Sequence, residues 1–237
     1  FADLRGRRLA VWLCSMRPTD RYRWSMADND LAKMRSEYAS TGLDEETAGH
    51  DPVALARRWL HDAIAARVAE PNAMALAALT ASGMPSVRLV LLKGLDETGA
   101  VFYTNYDSRK GRELAENPNA AAVMIWHQIG RQLRFEGPVR KLAPAECDEY
   151  FNSRPLGARI STASSPQSHT VANRAELERR WRETESAGVA DCRPTGWGGY
   201  RIEIEAFEFW HGREDRLHDR VHFSKVGDHW TRERLAP

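Results

Sequence analysis

The run Arg216-Leu217-His218-Asp219-Arg220 packs three groups that carry, or can carry, positive charge into five residues. Read as a β-strand, it projects Arg216, His218 and Arg220 from one face, about 6 to 7 Å apart, with Leu217 and Asp219 on the other. Cations so placed repel one another unless an anion lies among them. Other cations stand where a ligand could reach them. Arg88 and Lys93 occupy the two ends of the apolar run VRLVLLKG and, five positions apart, point to opposite faces. Ser108 caps a helix whose first turn carries Arg109 and Lys110 against the macrodipole, and the free amide N–H groups there favour a phosphate. The plainer reading extends both side chains into water. Arg154 ends a helix, where a cation suits the dipole without any ligand. Trp210 leads into the cationic run and either flanks a planar ligand or belongs to the core. Taken together, Arg88, Lys93, Arg109, Lys110, Arg154, Arg216 and Arg220 point to one or two phosphorylated small molecules with planar rings between them.

No general field gathers these cations. The 237 residues hold 34 Lys and Arg against 33 Asp and Glu, a formal net charge of +1, so neither nucleic acid nor an acidic membrane is the expected partner. Cys14, Cys147 and Cys192 are far apart and odd in number, which argues against a disulfide framework and a zinc site and fits a reducing cytoplasm. His211, His218 and His222 are not spaced to converge on a metal from a strand, there is no HExxH, and no metal is expected. GxSxG and GxGxxG are also absent. No apolar stretch approaches the ~20 residues of a membrane span. Phe1 opens an Arg-rich stretch, whereas Met26 opens an ordinary acidic, helical sequence. Residues 1–25 are therefore expected to be a disordered or non-native extension, and residues 26–237 a single domain.

The elements that must position the cations follow from pattern. Helices are expected from Asp28 to about Ala39 and from Asp51, with Pro52 in the first turn and Ala56, Trp59, Leu60, Ala63 and Ile64 forming the apolar stripe. AMALAALT, PSVRLVLLKGL and AVFYTN read as an antiparallel meander. The helix capped by Ser108 follows, then the strands AAAVMIWH and RQLRFEGPVRKL, then a helix opened by Pro144. Residues 156–170 read as loop, and Asn173 with Glu176 caps a further helix. Three closing strands are expected in GGYRIEIEAFEFWHG, RLHDRVHFSKV and HWTRERL, with IEIEAFEF alternating as a half-buried strand does. About six or seven strands with helices outside make the expected fold mainly β with peripheral helices, an antiparallel α+β barrel.

RLVLLKG, FYTNYDSRKGREL, GRQLRFEGPV, YFNSRP, WGGYRIE, EFWHG and RLHDR occur here in the order in which they stand in pyridoxamine/pyridoxine 5′-phosphate oxidases, and the chain resembles that family from about Met26 to Pro237. The resemblance implies an FMN-binding split β-barrel and a homodimer with FMN in clefts at the subunit interface. It implies flavin contacts from Arg88, Leu89, Val90, Leu91, Lys93, Tyr103, Thr104, Arg109, Lys110, Gln132, Gln167, Ser168, Trp210 and Arg220. Substrate contacts would come from Lys93, Tyr150, Arg154, Arg216 and His218, the last two being the catalytic pair. Arg35 and Tyr38 resemble a segment that covers the substrate. The implied reaction oxidises pyridoxamine or pyridoxine 5′-phosphate to pyridoxal 5′-phosphate, with oxygen as acceptor and hydrogen peroxide as product.

The chain departs from the family after SRP, where a phosphate-binding serine followed by Gln-Ile-Gly is usual. Here Ala158, Arg159, Ile160 and Ser161 stand instead. Arg159 is expected to take over the phosphate, and a changed substrate is the alternative. Rival readings are another split-barrel flavin or deazaflavin oxidoreductase, or a non-catalytic binder of FMN or pyridoxal phosphate. Retention of both ligand sets disfavours a carrier, which needs only one.

Overall fold

The computed structural model describes residues 42–188 and 191–237. The expected Asp28–Ala39 helix, the 1–25 extension, and Arg35 and Tyr38 lie outside the described residues.

Short-range chemistry sets the helices. Helix α1 (Glu45–Ala48) is followed by α2 (Pro52–Ala65), whose N-cap Asp51 accepts from the amides of Val53 and Ala54 at 2.9 and 3.0 Å. Val53, Leu55, Ala56, Trp59 and Ala63 form its buried stripe. Ile64, expected in that stripe, is 57% exposed, because the face turns toward Leu55 instead. Helix α3 (Arg109–Glu116) starts at Ser108, whose hydroxyl accepts from Gly111 N at 3.2 Å. Helix α4 (Pro144–Ser153) runs into α5 (Leu156–Ser164), in a stretch expected to be loop. The Gly, Ser and Thr content of α5 hides it in sequence. Buried Ile160 and a bond of 3.2 Å from Trp181 Nε1 to Ser161 Oγ hold it against α6 (Arg174–Ser186).

Ten strands, all paired antiparallel, make one curled sheet: β1 (Ala73–Leu79), β2 (Pro85–Leu91), β3 (Gly94–Asp96), β4 (Gly99–Asn105), β5 (Asn119–Trp126), β6 (Arg131–Lys141), β7 (Trp197–Ile202), β8 (Ala206–His211), β9 (Asp219–Val226) and β10 (His229–Leu235). The main path runs β10-β9-β8-β6-β5-β1-β2, with β3 and β4 joined through β7. Trp126, Phe135, Phe207, Phe209 and Phe223 fill the core, and Trp59 of α2 meets Phe209 edge-on at 5.1 Å. Strand β2 closes one end of the path and leaves Val87 and Leu89 70% and 73% exposed.

Strand β6 sets the curl. Its first half, Arg131–Glu136, pairs with β8, and its second, Val139–Lys141, with β7, while β5 covers the other side. At the switch, Glu203 N donates to Pro138 O at 2.8 Å and Glu205 N to Glu136 O at 2.9 Å. The expected strand through IEIEAFEF is therefore cut at Glu203–Glu205, and its Glu208 is buried rather than facing water. RLHDR is not a strand either. Glu214–Arg216 form a 3-10 turn with Asp215 and Arg216 in the left-handed region, φ 52° and 59°, and β9 begins only at Asp219. Arg216, His218 and Arg220 thus do not share one strand face.

The ends of the described chain are clasped together. Arg234 donates to Leu43 O at 3.1 Å and to the carboxylates of Glu45 and Asp219 at 2.6 and 2.7 Å, and Arg232 donates to the carbonyls of Glu45 and Gly49.

A Cβ at Gly137 would stand 2.0 Å from Glu203 O, a backbone atom fixed by the strand switch. Gly137→Ala is expected to destabilise the fold by more than about 2 kcal/mol, read from urea denaturation. An unchanged midpoint would show that the switch tolerates displacement.

Candidate active site

A cavity of about 570 Å³ lies between β2, β4 and the α4–α5 corner. Leu89, Val90 and Leu91 of β2 and Tyr103 and Thr104 of β4 form its strand walls. Tyr150 and Arg154 at the end of α4, Gln167, and the cations Lys93 and Lys110 complete the expected residues in it. Ser161, Thr162 and Trp197 also line it and were not foreseen from sequence. Trp197 was legible only as a member of a strand motif. The two hydroxyls lie in the stretch expected to be loop.

The aromatic wall is stacked. Tyr103 lies on Tyr150 with centroids 3.8 Å apart, and on Trp197 at 5.5 Å. The Arg154 guanidinium lies 4.9 Å from the Trp197 ring centre. Burial pushes the Tyr103 hydroxyl up to about 12, so it keeps its proton at neutral pH. Burial also lowers the pKa of Arg154, whose NH1 donates to Thr162 Oγ1. Among the described residues Arg154 has no carboxylate partner.

Lys110 is 8% exposed and donates to Thr104 Oγ1 at 3.0 Å. Burial and the neighbouring Arg88 charge pull its pKa down, with Glu113 opposing them. Gln167 Oε1 accepts from Thr104 Oγ1 at 3.1 Å and from Asn105 N at 3.3 Å, and Ser168 beside it has φ 68°. Arg88 and Arg109 stand outside the cavity lining and meet on buried Glu113, at 2.6 and 2.8 Å. A buried ammonium bonded to a neutral hydroxyl, with the Arg88 charge beside it, is a donor set that suits a phosphate monoester such as the tail of FMN. The residues present fit that group.

Arg159, expected to bind phosphate, does not line the cavity. Its guanidinium faces Asp191, 3.6 Å away, and Ala158 offers no side-chain donor. The remaining expected residues lie elsewhere. Gln132, Trp210 and Arg220 are cross-strand neighbours on β6, β8 and β9, and the first two line a separate cavity of about 190 Å³. Arg220 donates to buried Glu208 at 2.8 Å and to Ala236 O at 2.8 Å. His218 packs on Trp210 at 4.6 Å, and its Nδ1 accepts from Arg213 N at 3.1 Å, so the neutral ring carries its proton on Nε2. Arg216 is exposed on the left-handed turn.

Burial pushes the Glu113 carboxyl up, but the bonds from Ser86, Arg109 and Arg88 outweigh it and hold the carboxyl below its ordinary 4.5. A depressed folded-state pKa stabilises the protein fully above the unfolded value and loses that contribution as pH falls through the folded one. The stability gap between the wild type and Glu113→Gln is therefore expected to be widest near neutral pH and to shrink below about pH 4.5, in urea titrations at stepped pH. A gap independent of pH would place the effect of the substitution in packing.

Comparison with known proteins matches both parts of this geometry. The family model described as pyridoxamine 5′-phosphate oxidase covers residues 60–187, and the pyridoxine 5′-phosphate oxidase C-terminal dimerisation region covers residues 197–237. The chain is 49% identical to the pyridoxine/pyridoxamine 5′-phosphate oxidase of Pseudomonas paraeruginosa over 87% of this chain and 98% of that protein. It is 50% identical to the enzyme of the same name from Thermosynechococcus vestitus, over 87% and 99%. Among solved structures, PhzG from Burkholderia lata, in complex with tetrahydrophenazine-1-carboxylic acid, superposes with a TM-score of 0.80 at 33% identity, covering 85% of this chain and all of that one. With one family model on the cavity-bearing strands and helices and a second on the strands that carry Trp210 and Arg220, this chain belongs to the pyridoxamine 5′-phosphate oxidase family.

Proposed function

We propose that this chain, as a homodimer carrying FMN, oxidises pyridoxamine 5′-phosphate or pyridoxine 5′-phosphate to pyridoxal 5′-phosphate, with oxygen reduced to hydrogen peroxide and, for the amine, water consumed and ammonia released. The observation that carries the reading is that one cavity holds two desolvated cations, Lys110 and Arg154, neither paired with a carboxylate among the described residues. Two phosphate-tailed molecules satisfy both.

The division of the remaining residues supports the dimer. Gln132, Trp210, Arg216, His218 and Arg220 sit away from the first cavity on the same chain, and most of them lie in the segment matched by the dimerisation region. We place them as the wall that one protomer lends to the first cavity of its partner, with the exposed apolar face of β2 in the contact. The single domain over residues 26–237 and a cytoplasmic location belong to the same reading. No helix among the described residues is long and apolar enough to cross a membrane.

FMN, when bound, supplies the hydride acceptor and passes the electrons to oxygen. The chain supplies position and charge. Lys110, backed by Arg88 and Arg109, holds the flavin phosphate, while Leu89–Leu91, Thr104, Gln167 and Ser168 edge the cofactor. Gln132, Trp210 and Arg220 close over it from the partner. Lys93, Tyr150 and Arg154 hold the substrate phosphate. Arg216 sets the substrate against the flavin, and His218 offers its Nε2 proton to a ring substituent. Holding reacting atoms about 3 to 3.5 Å apart explains the need for an anchor on each molecule. Each charge-assisted anchor contributes on the order of 1.5 to 3 kcal/mol.

Purified protein supplemented with FMN is expected to consume oxygen with either phosphorylated vitamer and to release one peroxide per aldehyde. A yellow protein that binds pyridoxal 5′-phosphate but leaves oxygen untouched would be a carrier instead. The shared site has its own test. Arg154→Ala and Arg216→Ala are each expected to be nearly inactive, and subunits mixed by joint refolding are expected to recover about a quarter of wild-type activity, since half the dimers then contain one intact site of two. A mixture no better than its parents would put all the residues in one chain's site.

A further inference from the structure

The phosphate end of the cavity lacks a donor at position 158, and Arg159 is turned to Asp191. One helical turn further along α5, the hydroxyl of Thr162 lines the cavity. Residues four apart on a helix share a face, so Thr162 stands over the same patch that a side chain at position 158 would cover. Its Oγ1 accepts from Arg154 NH1 and donates to Ala158 O at 2.9 Å. That carbonyl is also the helical acceptor for the Thr162 amide, so turning the hydroxyl proton away leaves it bonded. Arg154 is steered from its other side by the Trp197 ring, at 4.9 Å. The guanidinium is thus fixed by two neutral groups and keeps further N–H donors for an anion.

We propose that Thr162 is a substrate-phosphate residue of this chain: it fixes Arg154 and swings its own hydroxyl proton from Ala158 O to a phosphate oxygen, supplying from position 162 the donor that position 158 lacks. This rests on the reading above that the cavity takes a phosphorylated substrate. The chemistry is selective. A hydroxyl beside a guanidinium, with Lys93 in the same cavity, favours a tetrahedral dianion over a planar carboxylate, which the Arg154 fork alone could hold.

The test uses the FMN-loaded enzyme and two probes, pyridoxal 5′-phosphate and inorganic phosphate, titrated by calorimetry beside steady-state kinetics with pyridoxine 5′-phosphate. Thr162→Val keeps the branched shape and removes the hydroxyl. It is expected to raise the Kd of pyridoxal 5′-phosphate and the KM roughly tenfold while kcat stays within about twofold and FMN affinity is unchanged. Thr162→Ser is expected to restore binding, and so is Ala158→Ser added to Thr162→Val. Unchanged Kd and KM in Thr162→Val, or a loss confined to kcat, overturns the assignment while leaving the substrate reading intact. If Thr162→Val also weakens FMN, the two serine variants decide: recovery supports the role and failure to recover overturns it. A wild-type enzyme that binds neither probe removes the substrate reading and this assignment together.

Discussion

Like charge is costly to gather in a low-dielectric interior, and this fold solves that problem with internal carboxylates. Glu113 takes Arg88 and Arg109, Glu208 takes Arg220 and Arg134, and Asp219 takes Arg213 and Arg234. Two of these acids, Glu113 and Glu208, are nearly inaccessible, which makes each pair a structural tie between elements as well as a neutralised charge. Glu113 joins α3 to β2, and Glu208 joins β8 to β9. Lys110 and Arg154, whose charges burial disfavours and which have no carboxylate partner among the described residues, face the cavity between β2 and β4. The sorting of cations into compensated and uncompensated ones is the physical basis of the site.

The sheet carries this sorting into space. Because β6 changes partners at Gly137, the residues on β8 and β9 are turned away from those on β2 and β4, and the aromatic and cationic residues fall into two cavities on one chain. The dense stack of Tyr103, Tyr150 and Trp197 then gives the larger cavity a rigid wall, with Arg154 laid along it. Rigid anchors at the two ends of a cavity favour catalysis by orientation rather than by a reactive side chain.

Features fixed by near neighbours in the chain were legible in the sequence. Asp51, Ser108 and Asn173 cap helices where their spacing predicts, and the apolar run AMALAALT, read as a strand, returns as β1. The long motifs also identified the family. What was hidden depends on distant contacts. The break after Ile202 is imposed by the backbone of β6, not by its own alternating residues. The left-handed turn at Asp215 and Arg216 carries no glycine to announce it. Arg159 was the obvious cation beside a missing hydroxyl, yet its direction is set by the register of a helix whose composition disguises it. Motif order along a chain also says nothing of which cavity a motif enters, so the separation of Lys110 from Trp210 could not be read from it.

The clasp between the last strand and residues 42–49 bears on how the protein is made. Arg232 and Arg234 of β10 fasten residues 43–49, and among the described residues β10 pairs only with β9. A ribosome delivers those arginines after all of β1–β9. The segment 42–49 therefore waits, unfastened, until β10 has been made, and the closing contacts are among the longest in sequence that the described residues make.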